Sequence, residues 1–168
     1  MVVETNRNAA QVLNTMRLNR SSRLKKWTST NIDEMKKFLG LVLYMGLVRM
    51  PEISDYWSSK MLYRNLVAGR VMSRNRFQLL LRFWHFNNNE NMDQEGRLSK
   101  LLPLISHLNE CFKRKKSPGK ELVVDESMVP FRGRLLFKQY LPNKTHKYGI
   151  KIFKICDTTG YTYKIKVY

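Results

Sequence analysis

The sequence predicts an α+β protein in which an N-terminal all-α region is followed by three strands of an incomplete sheet. Two observations lead to this class. Up to residue 117 the apolar residues recur at helical spacing, whereas beyond it they alternate with polar residues, as on strands with one solvated face. The change coincides with Ser117, Pro118 and Gly119, which together are typical of a break between regular elements. We therefore predict a helical region over residues 1–117 and a strand-rich region over residues 118–168.

Four segments of the first region carry an apolar face with helical period. In the second of them, Thr30 or Asn31 can cap the first amides, and Pro51 marks the end. This helix is apolar on nearly all sides from Phe38 onward, which is typical of a helix at the centre of a core. The predicted helices cover residues 7–18, 31–50, 74–86 and 101–112.

Three alternating segments after residue 117 predict strands: ELVVD (121–125), YGIKIFKICD (148–157) and YTYKIKVY (161–168). The last two are joined by DTTG (157–160), whose composition is typical of a tight turn, so they are predicted to form a hairpin. A sheet of this size needs a further layer to bury its apolar face.

The net charge of +18, from 31 Lys and Arg residues against 13 Asp and Glu residues, is the strongest compositional signal. A field of this sign favours a polyanionic partner, most commonly nucleic acid. A membrane partner is disfavoured, because the basic residues do not gather on one amphipathic helix and no apolar stretch approaches the roughly 20 residues of a membrane span. The cluster KRKK (113–116) fits either a solvated helix end or a nuclear-import patch.

Cysteine and histidine do not form a recognisable site in the sequence. Cys111 and Cys156 lie in unrelated contexts without CxxC spacing, and the three histidines are scattered. A disulfide framework and a zinc site are therefore both unsupported.

The segment VVDESMVPFRGR (123–134) raises the main functional question, because two adjacent acids are followed by two arginines. One interpretation is structural: Asp125 ends a strand and caps the turn that follows. The other is chemical: a carboxylate fixed on a central strand beside loop arginines could hold Mg²⁺ against a phosphate. Glu126 is a weak second ligand, since it points to the opposite face if the strand continues.

Five basic residues near this segment are candidates for DNA contacts. Guanidinium groups in the loop after Asp125 would suit bidentate contacts with phosphate, or else would pair with Glu126 or with solvent. Lysines on the way into the hairpin could line a path for DNA beside Tyr148, a residue that is also typical of a core or a strand face. The candidates are Arg132, Arg134, Lys138, Lys144 and Lys147.

Several further motifs follow Asp125 and Glu126 in order: FRGR, YLPNK, KYGIK and CD. Together with the upstream stretches FLGLVLYMGLVRMPEISDYWS and MSRNRFQLLLRFWHFNNNE, they resemble the piggyBac family of transposases and the domesticated proteins derived from it. The resemblance covers roughly residues 6–168. It implies a cut-and-paste DNA transposase with a ribonuclease H-like mixed sheet, of which this chain would supply the first three strands.

In this resemblance Asp125 matches the first of three catalytic aspartates that bind a divalent metal, with Mg²⁺ as the expected ion. The sequence ends before the positions that would carry the other two, so we expect DNA binding without independent catalysis. The resemblance also implies insertion at TTAA sites, a dimerisation and DNA-binding role for residues 1–117, the start of the catalytic domain in 118–168, and a nuclear location. The expected partners are DNA and a second copy in a homodimer, with no membrane and no small-molecule substrate.

Two alternatives stay open. The chain could be a non-catalytic domesticated scaffold that kept the helical region for dimerisation, in which case its basic character is a relic. It could also be part of a longer, intact enzyme whose other aspartates lie outside this sequence.

Overall fold

The computed structural model describes residues 1–91, 96, 98–143 and 145–168. The chain divides into two compact units, Met1–Glu90 and Asn91–Tyr168. This division falls earlier than the predicted boundary after residue 117, because the helix that precedes the strands packs on the sheet. The two units are defined by packing. The division into a helical domain (1–117) and a strand-rich domain (118–168) concerns functional organisation and stays a prediction.

The first unit contains four α-helices. They are α1 (Val2–Thr15), α2 (Ile32–Leu47), α3 (Leu66–Val71) and α4 (Arg74–Phe83). Three of them correspond to predicted helices, and the six-residue α3 was not predicted because so short a segment shows no clear period. Short 3-10 helices occur at Arg23–Lys26, Ile53–Trp57, Met61–Tyr63 and Asn89–Asn91.

Side-chain caps mark the first turns of α2 and α4. Asn31 Oδ1 accepts a hydrogen bond from the backbone N–H of Glu34 (2.9 Å), so Asn31 rather than Thr30 caps α2. Ser73 caps α4 in the same way, accepting from the N–H of Arg76 at 3.4 Å. Helix α2 ends at Leu47, ahead of the predicted stop at Pro51.

Helix α1 begins at Val2, five residues before the predicted start, because polar residues occupy part of its buried face. Thr5 and Asn8 are both buried, and the Asn8 side-chain amide donates to the carbonyl oxygen of Phe83 at 3.0 Å. A search for apolar periodicity cannot detect such positions, because their burial depends on a hydrogen-bond partner far along the chain.

The core of the first unit is built around Phe38 of α2, as the sequence predicts. Phe38, Phe77 and Leu80 are almost fully buried, and the rings of Phe38 and Phe77 lie 5.2 Å apart between centroids. Tyr56 closes the core and donates its hydroxyl to the carbonyl oxygen of Val48 at 2.5 Å. Among the described residues, no helix is both long enough and apolar enough to cross a bilayer.

The second unit combines one α-helix with a four-stranded sheet. They are α5 (Leu102–Lys115), β1 (Leu122–Pro130), β2 (Gln139–Tyr140), β3 (Tyr148–Asp157) and β4 (Thr162–Val167). Strand β3 is central: β1 pairs along one edge, and β2 and β4 pair along the other. All three pairings are antiparallel. The two-residue β2 was predicted as loop, since so short a strand carries no alternation.

The predicted hairpin over residues 148–168 is confirmed. Strands β3 and β4 pair through residues such as Lys154 and Ile165, with an irregularity between Ile155 and Cys156. The connecting turn places Gly160 at a positive φ of 83°, a conformation that glycine adopts without steric cost. Helix α5 packs on β4, because the Asn109 side chain hydrogen-bonds both the N–H and the carbonyl oxygen of Ile165 at 2.8 and 3.0 Å.

Candidate nucleic-acid interface

Asp125 lies inside strand β1 and not at its end. Strand β3 continues to pair with β1 as far as Pro130 opposite Gly149, so the strand extends five residues beyond the predicted end at Asp125. The interpretation in which Asp125 terminates a strand and caps a turn is therefore wrong. Its carboxylate is exposed, its Oδ1 accepts from the N–H of Glu126 at 2.7 Å, and its cross-strand neighbour is Lys154.

Glu126 points to the opposite face of the sheet, as alternation along a continuous strand requires. Its Oε2 lies 2.6 Å from Lys151 Nζ. This pairing directs the Glu126 carboxylate to the face that also carries Phe153, over whose ring the Lys151 ammonium lies at 4.8 Å from the centroid. Asp125 and Glu126 therefore do not converge on one ion.

The described residues do not complete a metal site around Asp125. Within residues 1–91, 96, 98–143 and 145–168, no group of three or more His, Cys, Asp or Glu side chains is placed to hold a metal ion. A divalent cation such as Mg²⁺ prefers several oxygen ligands, whereas Asp125 is a single carboxylate that faces a lysine across the strand pair. This part of the chain can contribute one ligand, and no metal-dependent step follows from its geometry.

The loop after β1 is held by Lys138 and Phe131. Lys138 is half-buried, and its Nζ donates to the carbonyl oxygen of Gly133 at 3.1 Å while lying 5.7 Å from the centroid of the Tyr148 ring. The Phe131 ring covers Gly133 so closely that a Cβ there would lie 2.4 Å from it. Of the predicted DNA-binding residues, Lys138 thus has a structural role in shaping the loop, whereas Arg134 is exposed.

The structure brings two of the predicted DNA-binding residues to one groove. Arg132 and Lys147 line a groove of about 290 Å³ together with Pro130, Thr145, His146 and Tyr148. None of the described residues in the lining is a carboxylate, so the groove presents positive charge and hydrogen-bond donors to a ligand. Lys144, the remaining candidate, lies outside the described residues.

Tyr148 sits on the sheet surface beside this groove. It is 54% exposed, so it is a strand-face aromatic rather than a core residue. It pairs across the strands with Tyr140, with ring centroids 4.8 Å apart. The pair forms a small exposed aromatic surface at the end of the sheet nearest Arg132 and Lys147.

An ionic cluster at the other end of the sheet was not anticipated. Lys116, the last residue of KRKK, places its Nζ 2.5 Å from Asp157 Oδ2 and 2.9 Å from Thr159 Oγ1. Tyr163 donates its hydroxyl to the same Asp157 Oδ2 at 3.1 Å. The sequence signal was limited to the turn motif DTTG, because the partner of Asp157 lies 41 residues away.

The cluster fixes the charge states of its members. The Lys116 ammonium and then the Thr159 hydroxyl hold the pKa of Asp157 far below its ordinary value. Asp157 in turn raises the pKa of Lys116, while burial and then Asp157 raise that of Tyr163. Lys116 therefore serves to join α5 to the hairpin, which leaves Lys113, Arg114 and Lys115 as the exposed basic end of the helix.

Comparison with known proteins identifies the family. The family model described as Transposase IS4 matches residues 1–168, the whole chain. The chain belongs to the transposase IS4 family. This is a family of DDE-type transposases, which generally use a divalent metal.

Individual relatives of this transposase chain are piggyBac proteins. PiggyBac transposable element-derived protein 3 of Homo sapiens is 33% identical over 129 residues, which are 77% of this chain and 22% of that protein. PiggyBac transposable element-derived protein 2 of Homo sapiens is 32% identical over 139 residues, 82% of this chain and 23% of that protein. The chain thus spans less than a quarter of the length of these relatives.

A solved piggyBac structure confirms the predicted fold class. The piggyBac transposase in a synaptic complex with hairpin DNA matches with a TM-score of 0.79 and 27% identity, covering 100% of this chain and 35% of that one. The helices followed by the antiparallel sheet are accordingly the helical region and the opening of a ribonuclease H-like domain. The resemblance to the piggyBac family derived from the motifs is confirmed.

Proposed function

We propose that this chain is a DNA-binding part of a piggyBac-like, cut-and-paste transposase directed to TTAA sites, without catalytic activity of its own. The observation that carries the proposal is the groove shared by Arg132 and Lys147, which lies at the end of the strand that bears Asp125. Asp125 is five residues from Pro130 in the groove wall, about 17 Å along an extended strand. A DNA backbone held at the groove could therefore run toward Asp125.

DNA is the ligand that best fits this surface. Arginine and lysine side chains contact backbone phosphates, and exposed tyrosine rings can stack on bases. The net charge of +18 adds a long-range attraction that is independent of sequence. The solved relative forms a complex with hairpin DNA, which supports the same class of partner for this chain.

The test is the salt dependence of binding to a fluorescent duplex that contains TTAA. We expect the affinity to fall steeply with salt, with a log–log slope of about 0.9 per phosphate contacted. The double variant Arg132→Gln/Lys147→Gln should reduce that slope by about 1.8, whereas Lys164→Gln/Lys166→Gln, two exposed lysines of β4, should change it little. Equal effects of the two double variants would contradict a localised site. Undetectable DNA binding together with a concentration-dependent dimer would favour the scaffold alternative.

We propose that Asp125 is the carboxylate that the described part of this chain offers to a Mg²⁺ site. Its exposure and its position inside a paired strand support this role, and because no group of three or more potential ligands forms among the described residues, we expect weak binding. Paramagnetic Mn²⁺ should broaden the amide signals of Asp125 and Glu126 in NMR spectra. The broadening should be lost in Asp125→Asn and kept in Asp33→Asn, a control with a highly exposed carboxylate.

We propose a nuclear location, supported by the exposed basic end of α5. Lys113, Arg114 and Lys115 extend into solvent, and such clusters serve as import signals. A fluorescent fusion of the chain should accumulate in nuclei, and Lys113→Gln/Arg114→Gln/Lys115→Gln should not. The β4 variant Lys164→Gln/Lys166→Gln, which also removes exposed lysines, should be unaffected. A cytoplasmic wild-type fusion would contradict the proposal.

We also propose that the chain forms a homodimer, as the family resemblance implies. Sedimentation equilibrium over a range of protein concentrations tests it directly. A single monomeric species at every concentration would exclude a homodimer formed by this chain alone.

A further inference from the structure

A second donor-lined groove lies in the helical unit, between the 3-10 helix Arg23–Lys26 and helix α4. Its volume is about 360 Å³, which is in the range of ligand-binding sites and larger than a single phosphate needs. Leu24 and Leu79 form its apolar floor. The polar lining consists of Ser22, Arg23, Asn75, Gln78 and Arg82.

The hydrogen bonds within this groove fix the orientation of its amides. Arg23 Nη1 donates to Gln78 Oε1 at 2.9 Å and to Asn75 Oδ1 at 3.4 Å. Because both amide oxygens accept from Arg23, the amide nitrogens are free to donate elsewhere. Ser22 Oγ accepts from the N–H of Leu24 at 3.3 Å and keeps its own hydroxyl proton as a donor. The groove therefore offers donors to a ligand and has its acceptors already engaged.

Charge in the groove has one sign. No carboxylate lines it, and Arg23 and Arg82 form no salt bridge with any carboxylate in the described part of the chain. Helix α4 contributes to this, since its ten residues include three arginines and no acid. An anion entering the groove would meet two guanidinium groups that no described carboxylate neutralises.

A neighbouring groove in the same unit shows the contrast. It is larger, at about 510 Å³, and is also lined by a basic residue of α4, Arg76. There Asp33 and Glu34 share the lining, and Glu34 binds both Arg76 Nε and Nη2 at 2.7 and 2.6 Å. In the larger groove two acids balance Arg76 and Lys37, whereas no described carboxylate balances Arg23 and Arg82, so of these two grooves the smaller one favours an anion.

We infer that the groove of Arg23 and Arg82 holds a backbone phosphate of double-stranded DNA, a second contact on a different unit from the proposed site at Arg132 and Lys147. The inference rests on the proposed DNA-binding function. Arginine, asparagine, glutamine and serine are among the side chains that bind phosphate oxygens in protein–DNA complexes, and all four line this groove. The free volume leaves room for the sugar next to the phosphate.

The experiment compares charge-removing pairs in the full chain by fluorescence anisotropy on the same duplex at several salt concentrations. Arg23→Gln/Arg82→Gln should reduce the log–log slope by about 0.9 for one phosphate lost. The control Arg49→Gln/Arg70→Gln removes two exposed arginines of the same unit that line neither groove, and should leave the slope close to wild type. Circular dichroism should show unchanged helix content in both variants.

A further variant and a further measurement distinguish loss of the phosphate contact from loss of folding stability. Gln78→Glu places a carboxylate beside Arg23 and should weaken DNA binding at low salt, because it neutralises the guanidinium. In NMR spectra the duplex should shift the amide signals of Arg23, Leu24 and Gln78. Inorganic phosphate at matched ionic strength should shift them far less.

The outcomes separate the two proposals. If wild type binds no DNA even at low salt, the proposed function itself fails. Wild type can also bind DNA with a salt slope that falls in Arg132→Gln/Lys147→Gln. If the slope of Arg23→Gln/Arg82→Gln then equals that of the Arg49→Gln/Arg70→Gln control, only the inference about this groove is overturned. A saturable response of the same amides to inorganic phosphate, equal to that with DNA, would assign the groove to a small anion and also overturn it.

Discussion

The helical unit and the sheet unit are stabilised in different ways. The helical unit buries large side chains from α2, α4 and the 3-10 helix Ile53–Trp57, with Phe38, Phe77 and Leu80 almost inaccessible. The sheet unit buries few, and Val124 on its edge strand β1 is 71% exposed. Its helix and hairpin are joined instead by polar groups, chiefly Asp157 with Lys116 and Asn109 with the backbone of Ile165.

This difference shows where each unit is sensitive to change. Apolar burial is non-directional and spread over many contacts, so the helical unit should respond mainly to lost volume. The sheet unit depends on backbone register and on a few directional contacts, so it should respond mainly to changes of shape and charge. The same sheet carries Asp125 and the Arg132 groove, which places the proposed chemistry on the unit with the smaller apolar core.

The largest effect is expected from Phe77→Ala in the helical core. Phe77 is 1% exposed, and a truncation of this kind typically lowers the free energy of unfolding by about 3–5 kcal/mol. Urea titration followed by tryptophan fluorescence reports on the helical unit, where all three tryptophans lie, and hydrogen exchange of the β1 and β3 amides reports on the sheet unit. Val124→Ala, the exposed counterpart in the sheet, should change stability by less than about 0.5 kcal/mol. If both variants lost similar amounts of unfolding free energy, the two units would not differ in their dependence on apolar burial.

The second-largest loss of stability is expected from Gly149→Ala in the sheet. A Cβ at Gly149 would lie 2.3 Å from the carbonyl oxygen of Val129 on β1, so the strands must separate. Overpacking of this kind costs about 1–3 kcal/mol. Hydrogen exchange of the β1 and β3 amides should become faster, while Gly119→Ala, with nothing within 4 Å of its added Cβ, should leave exchange unchanged. Unaltered exchange in Gly149→Ala would show that the register tolerates the shift.

A smaller loss is expected from Asp157→Asn, which keeps the shape of the side chain and removes its charge. The neutral amide cannot form the ion pair with the Lys116 ammonium, so the contact between α5 and the hairpin should weaken. Amide exchange in β4 should accelerate. Asp125→Asn, an exposed carboxylate of the same sheet, is the matched control and should not alter exchange there. If both variants behave alike, the cluster does not join helix to hairpin.

The smallest effect is a pH dependence in the helical unit. The Arg76 guanidinium lowers the pKa of Glu34 below its usual 4.5. A lowered folded-state pKa contributes stability above the unfolded value, and this stability is lost as pH falls through the folded value. The urea midpoint of wild type should therefore exceed that of Glu34→Gln at neutral pH, and the gap should close below pH 4.5. A gap that persists in acid would show that the loss of stability does not depend on the Glu34 charge.

Local signals account for the elements that were predicted correctly. Helical period and side-chain caps located α2 and α4, and alternation with a turn motif located the hairpin of β3 and β4. The order of motifs around Asp125 was sufficient to indicate the family. Where prediction failed, the missing information was the partner: β1 runs past Asp125 to Pro130 because β3 is there to pair with it.

The sequence alone determined the α+β class, the family and the sign of the charge, because these follow from residue types and from neighbours within a few positions. Only the tertiary structure decided that α5 packs with the sheet through Lys116 and Asp157, and that Arg132 meets Lys147 at one groove. It also decided that Arg76 is neutralised by Glu34, whereas Arg23 is held by amides and pairs with no carboxylate among the described residues. The physical reason is that burial and charge pairing depend on distances between residues far apart in the chain, and folding sets those distances.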